Sequence, residues 1–208
     1  MTNYAEQVAD DLLAIGAVKF SPDEPFTWAS GIKSPIYTDN RMTIGVPKVR
    51  QNIFRGLANL IQNAYGDVDI IGGVATAGIP HAAWVADILD KPMIYVRSKP
   101  KDHGAGRQIE GATVAGQKVV LIDDLISTGG SVLGAVEATR QAGAEVIGVV
   151  SIFSYELPEG VINFKRANLT FKSLTTYSQL MAAAIKRGEL NESQITTLKQ
   201  WQLNPKQW

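Results

Sequence analysis

Apolar side chains recur along this chain with two different periods, and the places where the period changes predict its elements. Asn3 stands three residues before Glu6 in capping-box spacing, and Val8, Ala9, Leu12 and Leu13 then repeat at helical intervals until Gly16 stops the run. This predicts an amphipathic N-terminal helix. Residues 20–42 break the pattern, because Pro22, Pro25, Gly31 and Pro35 fall between aromatic residues, and they predict short strands and turns forming a small hood. Pro47 suits a first helical position, and Val49, Ile53, Phe54, Leu57, Leu60 and Ile61 mark one helix face up to Gly66. Beyond it, short apolar runs at 68–74, 93–96, 119–122 and 146–153 alternate with helical segments at 80–89 and 130–142. Near-continuous apolar strands separated by helices predict an α/β fold, an open, doubly wound, mostly parallel sheet with helices on both faces. Ligands of such sheets sit beyond the carboxyl ends of the strands. Residues 169–174 predict an edge strand, and 177–187 and 191–203 predict closing helices, the second opened by a capping box of Asn191 and Gln194. One long polar insertion, 98–117, interrupts the rhythm.

Composition narrows what this scaffold does. A chain of 208 residues, 45% hydrophobic and 19% charged, suits one full core. We therefore expect a single domain over 1–208, with the hood mainly in 1–45, the core in about 46–175 and C-terminal helices in about 176–204. Twenty basic and twenty acidic side chains cancel, so no global field draws the protein to nucleic acid or to an anionic membrane, and any anion site is local. The absence of cysteine excludes a disulfide scaffold, thiolate zinc sites and a cysteine nucleophile. The first residues lack a signal-peptide pattern, and no apolar stretch approaches the roughly 20 residues that cross a bilayer. A soluble cytoplasmic protein is the expectation.

The chemistry concentrates in Val119-Val120-Leu121-Ile122-Asp123-Asp124-Leu125-Ile126-Ser127-Thr128-Gly129-Gly130-Ser131. An apolar strand delivers two adjacent carboxylates, and a turn rich in glycine and hydroxyls then opens a helix. Amides at a helix N-terminus carry partial positive charge, and glycines let a phosphate approach that backbone closely. Paired acids just before such a site repel a second phosphate, yet accept hydrogen bonds from the two vicinal hydroxyls of a ribose. The order therefore reads ribose first and 5-phosphate second. Two other readings stay open on the pattern alone: a magnesium site of a phosphatase or receiver domain, and a plain tight connection. Walker A is excluded because no lysine follows the glycines, and no Gly-x-Gly-x-x-Gly fingerprint occurs.

This segment resembles the phosphoribosyl pyrophosphate signature of the type I phosphoribosyltransferases. Two more segments resemble one branch of that family, the orotate phosphoribosyltransferases. Phe26-Thr27-Trp28-Ala29-Ser30-Gly31-Ile32-Lys33-Ser34-Pro35-Ile36-Tyr37 is similar to their hood, and Arg97-Ser98-Lys99-Pro100-Lys101-Asp102-His103-Gly104 to their catalytic loop. The resemblance implies the type I fold and transfer of a phosphoribosyl group to orotate, yielding orotidine monophosphate and pyrophosphate in pyrimidine synthesis. It implies that Asp123 and Asp124 hold the ribose hydroxyls while Leu125, Ile126, Ser127, Thr128, Gly129, Gly130 and Ser131 wrap the 5-phosphate. Gly73-Val74-Ala75-Thr76-Ala77-Gly78 looks like the family's pyrophosphate loop, with Thr76 and Ala77 against the diphosphate. Arg97, Lys101 and His103 are implied lid cations, Lys101 the main catalytic one. Ser127, Tyr37 and Lys33 are the candidates for orotate. The family also implies Mg²⁺ held mainly by the substrate diphosphate, with no direct protein ligand, and a homodimer whose lids reach across to the partner's site.

The chain departs from some family members, which carry lysine at the positions of Ala29, Ala77 and Ser98, and an arginine for the orotate carboxylate near 152–156, where none stands here. Arg41 is a candidate replacement. Transfer to another base, and a regulator that senses phosphoribosyl pyrophosphate without catalysis, are the competing expectations.

Overall fold

The computed structural model describes residues 3–28, 31–99 and 108–208. Helix α1 (Tyr4–Ala14) starts where the Asn3 side chain accepts the Glu6 amide. Short strands β1 (Val18–Phe20), β2 (Phe26–Thr27), β3 (Lys33–Ser34) and β4 (Ile36–Thr38) follow, and β1 pairs antiparallel with β4 and β2 with β3. A 3-10 turn over Asn40–Gly45 leads into α2 (Pro47–Ala64), with the proline in its first turn. Then come β5 (Ile70–Val74), α3 (Gly78–Leu89), β6 (Met93–Val96), β7 (Ile109–Gly111), β8 (Lys118–Ile126), α4 (Gly130–Gln141) and β9 (Glu145–Ser154). The chain closes with α5 (Pro158–Arg166), β10 (Phe171–Thr176), α6 (Tyr177–Lys186) and α7 (Glu192–Leu203). Among the described residues the main sheet has six strands in the order β10-β9-β8-β5-β6-β7, parallel throughout except for β7.

Both faces of the sheet are covered, and strand alternation shows how. Val120 and Ile122 of β8 join a core with Val8 and Leu12 of α1, Leu57 of α2, Val85 of α3, and Leu180 and Trp201 of α6 and α7. Their neighbours Val119 and Leu121 face the other way, into a core with Val132 and Val136 of α4 and Phe164 of α5. Three features differ from the sequence expectation. Strand β8 runs beyond Ile122 to Ile126, because Asp123, Leu125 and Ile126 pair with Ser151, Phe153 and Ser154 of β9. The polar insertion contains β7, whose Ile109, Glu110 and Gly111 pair with β6. Helix α5 was not expected, since of its residues only Gly160 and Phe164 are buried while Val161 and Ile162 are exposed. Among the described residues no helix is long and apolar enough to cross a membrane.

His81, on α3, is wholly buried edge-on to the Trp84 ring at 5.5 Å, and among the described residues neither of its ring nitrogens has a hydrogen-bond partner. Burial penalises the imidazolium and holds the pKa down at about 4. The unfolded imidazole takes up its proton first as pH falls, so the folded state loses stability from the ordinary histidine range down to about pH 4. His81→Phe is expected to flatten this acid limb by about 3 kcal/mol, read as a smaller drop in unfolding free energy between neutral and acid pH in urea titrations.

Candidate active site

The carboxyl ends of β5, β6, β8 and β9 lie at one edge of the sheet, and Thr76, Ala77, Arg97 and residues 123–131 lie at or just after those ends because parallel pairing puts them in register. Asp123 is buried, and its Oδ1 accepts the Asp124 amide at 2.9 Å. The Asn40 side chain donates to the Asp124 carbonyl at 2.7 Å, fastening the 3-10 turn to the end of β8. Burial is the largest cause acting on both carboxyls and raises both pKa values; the negative charge of Asp124 pushes Asp123 further up. The pair thus retains a proton at pH values where an exposed aspartate has lost it.

Beyond Ile126 the chain turns through Ser127 and Thr128 to Gly129, which caps α4 with a left-handed φ of +80° that suits glycine. The loop after β5 lies alongside. Ala75 donates its amide to the Val96 carbonyl at 2.9 Å, and Ile79 to that of Thr76 at 3.3 Å. Gly78 closes the contact with β8, since a Cβ there would stand 2.3 Å from the Ile122 carbonyl oxygen, next to Asp123. Thr76 and Ala77 are therefore held beside the acids. Arg97, just after β6, exchanges main-chain and side-chain hydrogen bonds with Gln108 at 2.9 and 2.8 Å. Its Nη1 is buried with no partner among the described residues.

A cleft of about 380 Å³ opens next to the Asp124 end of β8, lined by Thr27, Trp28, Tyr37, Thr38, Leu125, Ser127 and Tyr155. Two of the three residues singled out for a planar base, Tyr37 and Ser127, lie in this wall. Lys33 does not: it is exposed, and its carbonyl accepts the Trp201 indole N–H at 2.9 Å. Arg41 is engaged elsewhere, its Nε and Nη2 forked onto Asp39 at 2.6 and 2.9 Å. Lys101 and His103, like Ala29 and Ser30, lie outside the described residues.

Sequence reasoning missed Trp28, Thr38 and Tyr155. Trp28 packs on Tyr155 at 4.8 Å and on Trp201 at 5.5 Å, so the cleft floor is an aromatic cluster assembled from three distant segments. The Thr38 hydroxyl oxygen is buried in this wall beside the Tyr155 side chain. No local pattern marks either residue. Asn40 had a signal in retrospect, an Asx-rich Asp39-Asn40 start to a short turn. Together the site offers an anion cradle, two proton-accepting acids and a flat aromatic slot side by side.

Comparison with known proteins identifies the family of this chain. Residues 46–166 match the family model described as phosphoribosyl transferase domain. An orotate phosphoribosyltransferase of Enterococcus faecalis is 56% identical over 208 residues, covering 100% of this chain and 99% of that protein. One of Levilactobacillus brevis is 58% identical, over 98% of this chain and 97% of that protein. Among solved structures, an orotate phosphoribosyltransferase from Aeropyrum pernix superposes with a TM-score of 0.73 at 26% identity, over 88% of this chain and 99% of that one. The UMP synthase of Leishmania donovani gives 0.82 at 27% identity; the match covers 98% of this chain and 42% of that longer one.

Proposed function

The chain belongs to the orotate phosphoribosyltransferases, within the phosphoribosyl transferase domain family, and from that membership we propose the role of each residue in the site just described. The reaction forms a bond between a ring nitrogen of orotate and the ribose carbon of phosphoribosyl pyrophosphate while the bond to pyrophosphate breaks, yielding orotidine monophosphate. Asp123 and Asp124 accept the ribose hydroxyls, and residues 125–131 wrap the 5-phosphate at the start of α4. Thr76, Ala77 and Arg97 hold the diphosphate. The observation that carries this is the juxtaposition of the paired acids, the Gly129 cap and half-buried Arg97, whose Nη1 has no hydrogen-bond partner among the described residues, at one sheet edge.

Orotate occupies the aromatic cleft, lying against Tyr37 with Ser127 available to its polar edge. The aromatic floor excludes water from the reacting carbon, and positioning supplies most of the rate because no covalent enzyme nucleophile is required. Lys101 and His103 add positive charge as pyrophosphate departs. The full chain acts as one catalytic domain, with hood, core and C-terminal helices divided near residues 45 and 175. It works as a homodimer whose lid cations serve the partner's site.

The donor set suits Mg²⁺ carried by the substrate. Asp123 and Asp124 are adjacent carboxylates at this edge, and among the described residues no cluster of three or more His, Cys, Asp or Glu could hold a metal ion. Magnesium typically keeps its waters and binds through one or two carboxylates plus substrate phosphates. When bound it neutralises charge developing on the diphosphate oxygens.

The direct test is the fall in ultraviolet absorbance as orotate is consumed with phosphoribosyl pyrophosphate and Mg²⁺. No decrease with orotate, alongside turnover of xanthine, uracil or another purine, would overturn the assignment of the base. A second expectation follows from the raised carboxyl pKa values. Ribose hydroxyls donate to ionised acids, so binding drives protons off the pair and affinity increases as pH rises above the ordinary carboxylate range. Calorimetry in buffers of different ionisation enthalpy is expected to show proton release for the wild type that diminishes in Asp123→Asn. Equal release from both would remove the pair from the ribose.

A further inference from the structure

We propose that helix α5 orients the amide donors of the 127–131 loop by holding their carbonyl oxygens, with Asn163 as the main positioning residue. This rests on the reading of that loop as the 5-phosphate site. Three residues on one face of α5, at i, i+3 and i+4, meet three consecutive loop residues. Gly160 lies flat against Ser127, because a Cβ there would stand 2.6 Å from the Ser127 carbonyl oxygen. The Asn163 side-chain amide donates to the Thr128 carbonyl at 3.0 Å. The Phe164 ring sits under Gly129, where a Cβ would come within 2.7 Å of it.

These contacts decide where the loop's N–H groups point. In a trans peptide the C=O and N–H project in opposite directions, and both peptides here are trans. With the Ser127 and Thr128 carbonyls turned onto α5, the amides of Thr128 and Gly129 face away from it. Among the described residues neither amide donates to any backbone or side-chain acceptor. Two adjacent, unsatisfied N–H groups form a concave cradle for an anion such as a phosphate dianion. Without Asn163 the Thr128–Gly129 peptide is free to rotate, and rotation turns the Gly129 donor out of the cradle. Helix α5 contributes no group to the substrate itself. Asn163 acts on the Thr128–Gly129 peptide, beyond the Ser127 that lines the cleft, so its effect falls on the phosphate rather than the base.

Calorimetry of the full chain with ribose 5-phosphate, a probe carrying only the sugar and the 5-phosphate, tests this. Asn163→Ala is expected to weaken binding about five- to tenfold, the value of one hydrogen bond, and to raise KM for phosphoribosyl pyrophosphate in parallel. KM for orotate and the unfolding midpoint stay near wild type. Asn163→Asp keeps the volume but places an acceptor against the Thr128 carbonyl, so it is expected to weaken ribose 5-phosphate at least as much; it carries the test if the alanine variant folds poorly. Equal binding by wild type and both variants overturns the role of α5 while leaving the phosphate site intact. A joint rise of both KM values with a lowered midpoint also overturns it, by showing a merely structural brace. Absence of binding by the wild type itself removes the phosphate-site reading, and this proposal with it.

Discussion

Changing Asp123 and Asp124 together to asparagine is expected to lower kcat/KM for phosphoribosyl pyrophosphate by about a thousandfold while raising the temperature of unfolding. Hydrogen bonds to a charged acceptor contribute about 1.5–3 kcal/mol each, and losing two of them amounts to about three powers of ten in rate. The stability change has the opposite sign. Both carboxyls titrate higher in the folded protein than in the unfolded chain, chiefly through burial, so above the ordinary carboxylate range the unfolded state releases protons that the folded state keeps. Ionised acids at this position therefore cost folding free energy that increases with pH. Asparagine does not ionise, and its carbonyl oxygen still accepts the amide that now reaches Asp123 Oδ1. A gain in unfolding free energy at neutral pH, shrinking as pH falls into the ordinary carboxylate range, is expected from denaturant titration. Wild-type kinetics in the double variant would remove the acids from catalysis. A loss of stability would recast them as anchors of the fold.

The second large effect is expected from Lys101→Ala, with a decline in kcat of about a hundred- to a thousandfold and a change in phosphoribosyl pyrophosphate affinity of less than about threefold. A cation that meets charge only as pyrophosphate departs stabilises the transition state and scarcely affects the ground state. Comparable losses in kcat and affinity would make Lys101 a binding residue. The shared-site reading adds a sharper check. If lids cross between subunits, mixing the Lys101→Ala chain with the Asp123, Asp124 double variant under exchange conditions restores roughly a quarter of wild-type activity, because half of the randomly reassorted dimers contain one intact site in two. No recovery on mixing would mean that each lid serves its own subunit.

Much of the architecture was written in local pattern. Strands β5, β6, β8 and β9 were visible as apolar runs, since burial on both faces leaves no polar alternation, and the caps at Asn3 and Asn191 located two helix starts. What escaped was decided by pairing across the sheet. The apolar run of β8 stopped at Ile122 because acids rarely sit in buried strands, yet residues 151–154 of β9 hold Asp123 to Ile126 extended. Helix α5 gave little signal because its only buried residues are Gly160 and Phe164, too few to make an apolar stripe, leaving Pro158 as its one clear mark. The acid pair and glycine turn were legible because contiguous residues carry them. The base cleft was not, since Thr27, Thr38, Leu125 and Tyr155 meet through strand order, and no spacing in the chain reveals that.

The aromatic cluster beneath the cleft has an optical consequence. Trp28 lines the space assigned to the base and touches Trp201 and Tyr155, whereas Trp84 lies apart against His81 and Phe54. A planar, ultraviolet-absorbing guest seated on Trp28 is expected to quench that indole more than Trp84. Intrinsic fluorescence during an orotate titration would then gauge occupancy of this space without label or turnover.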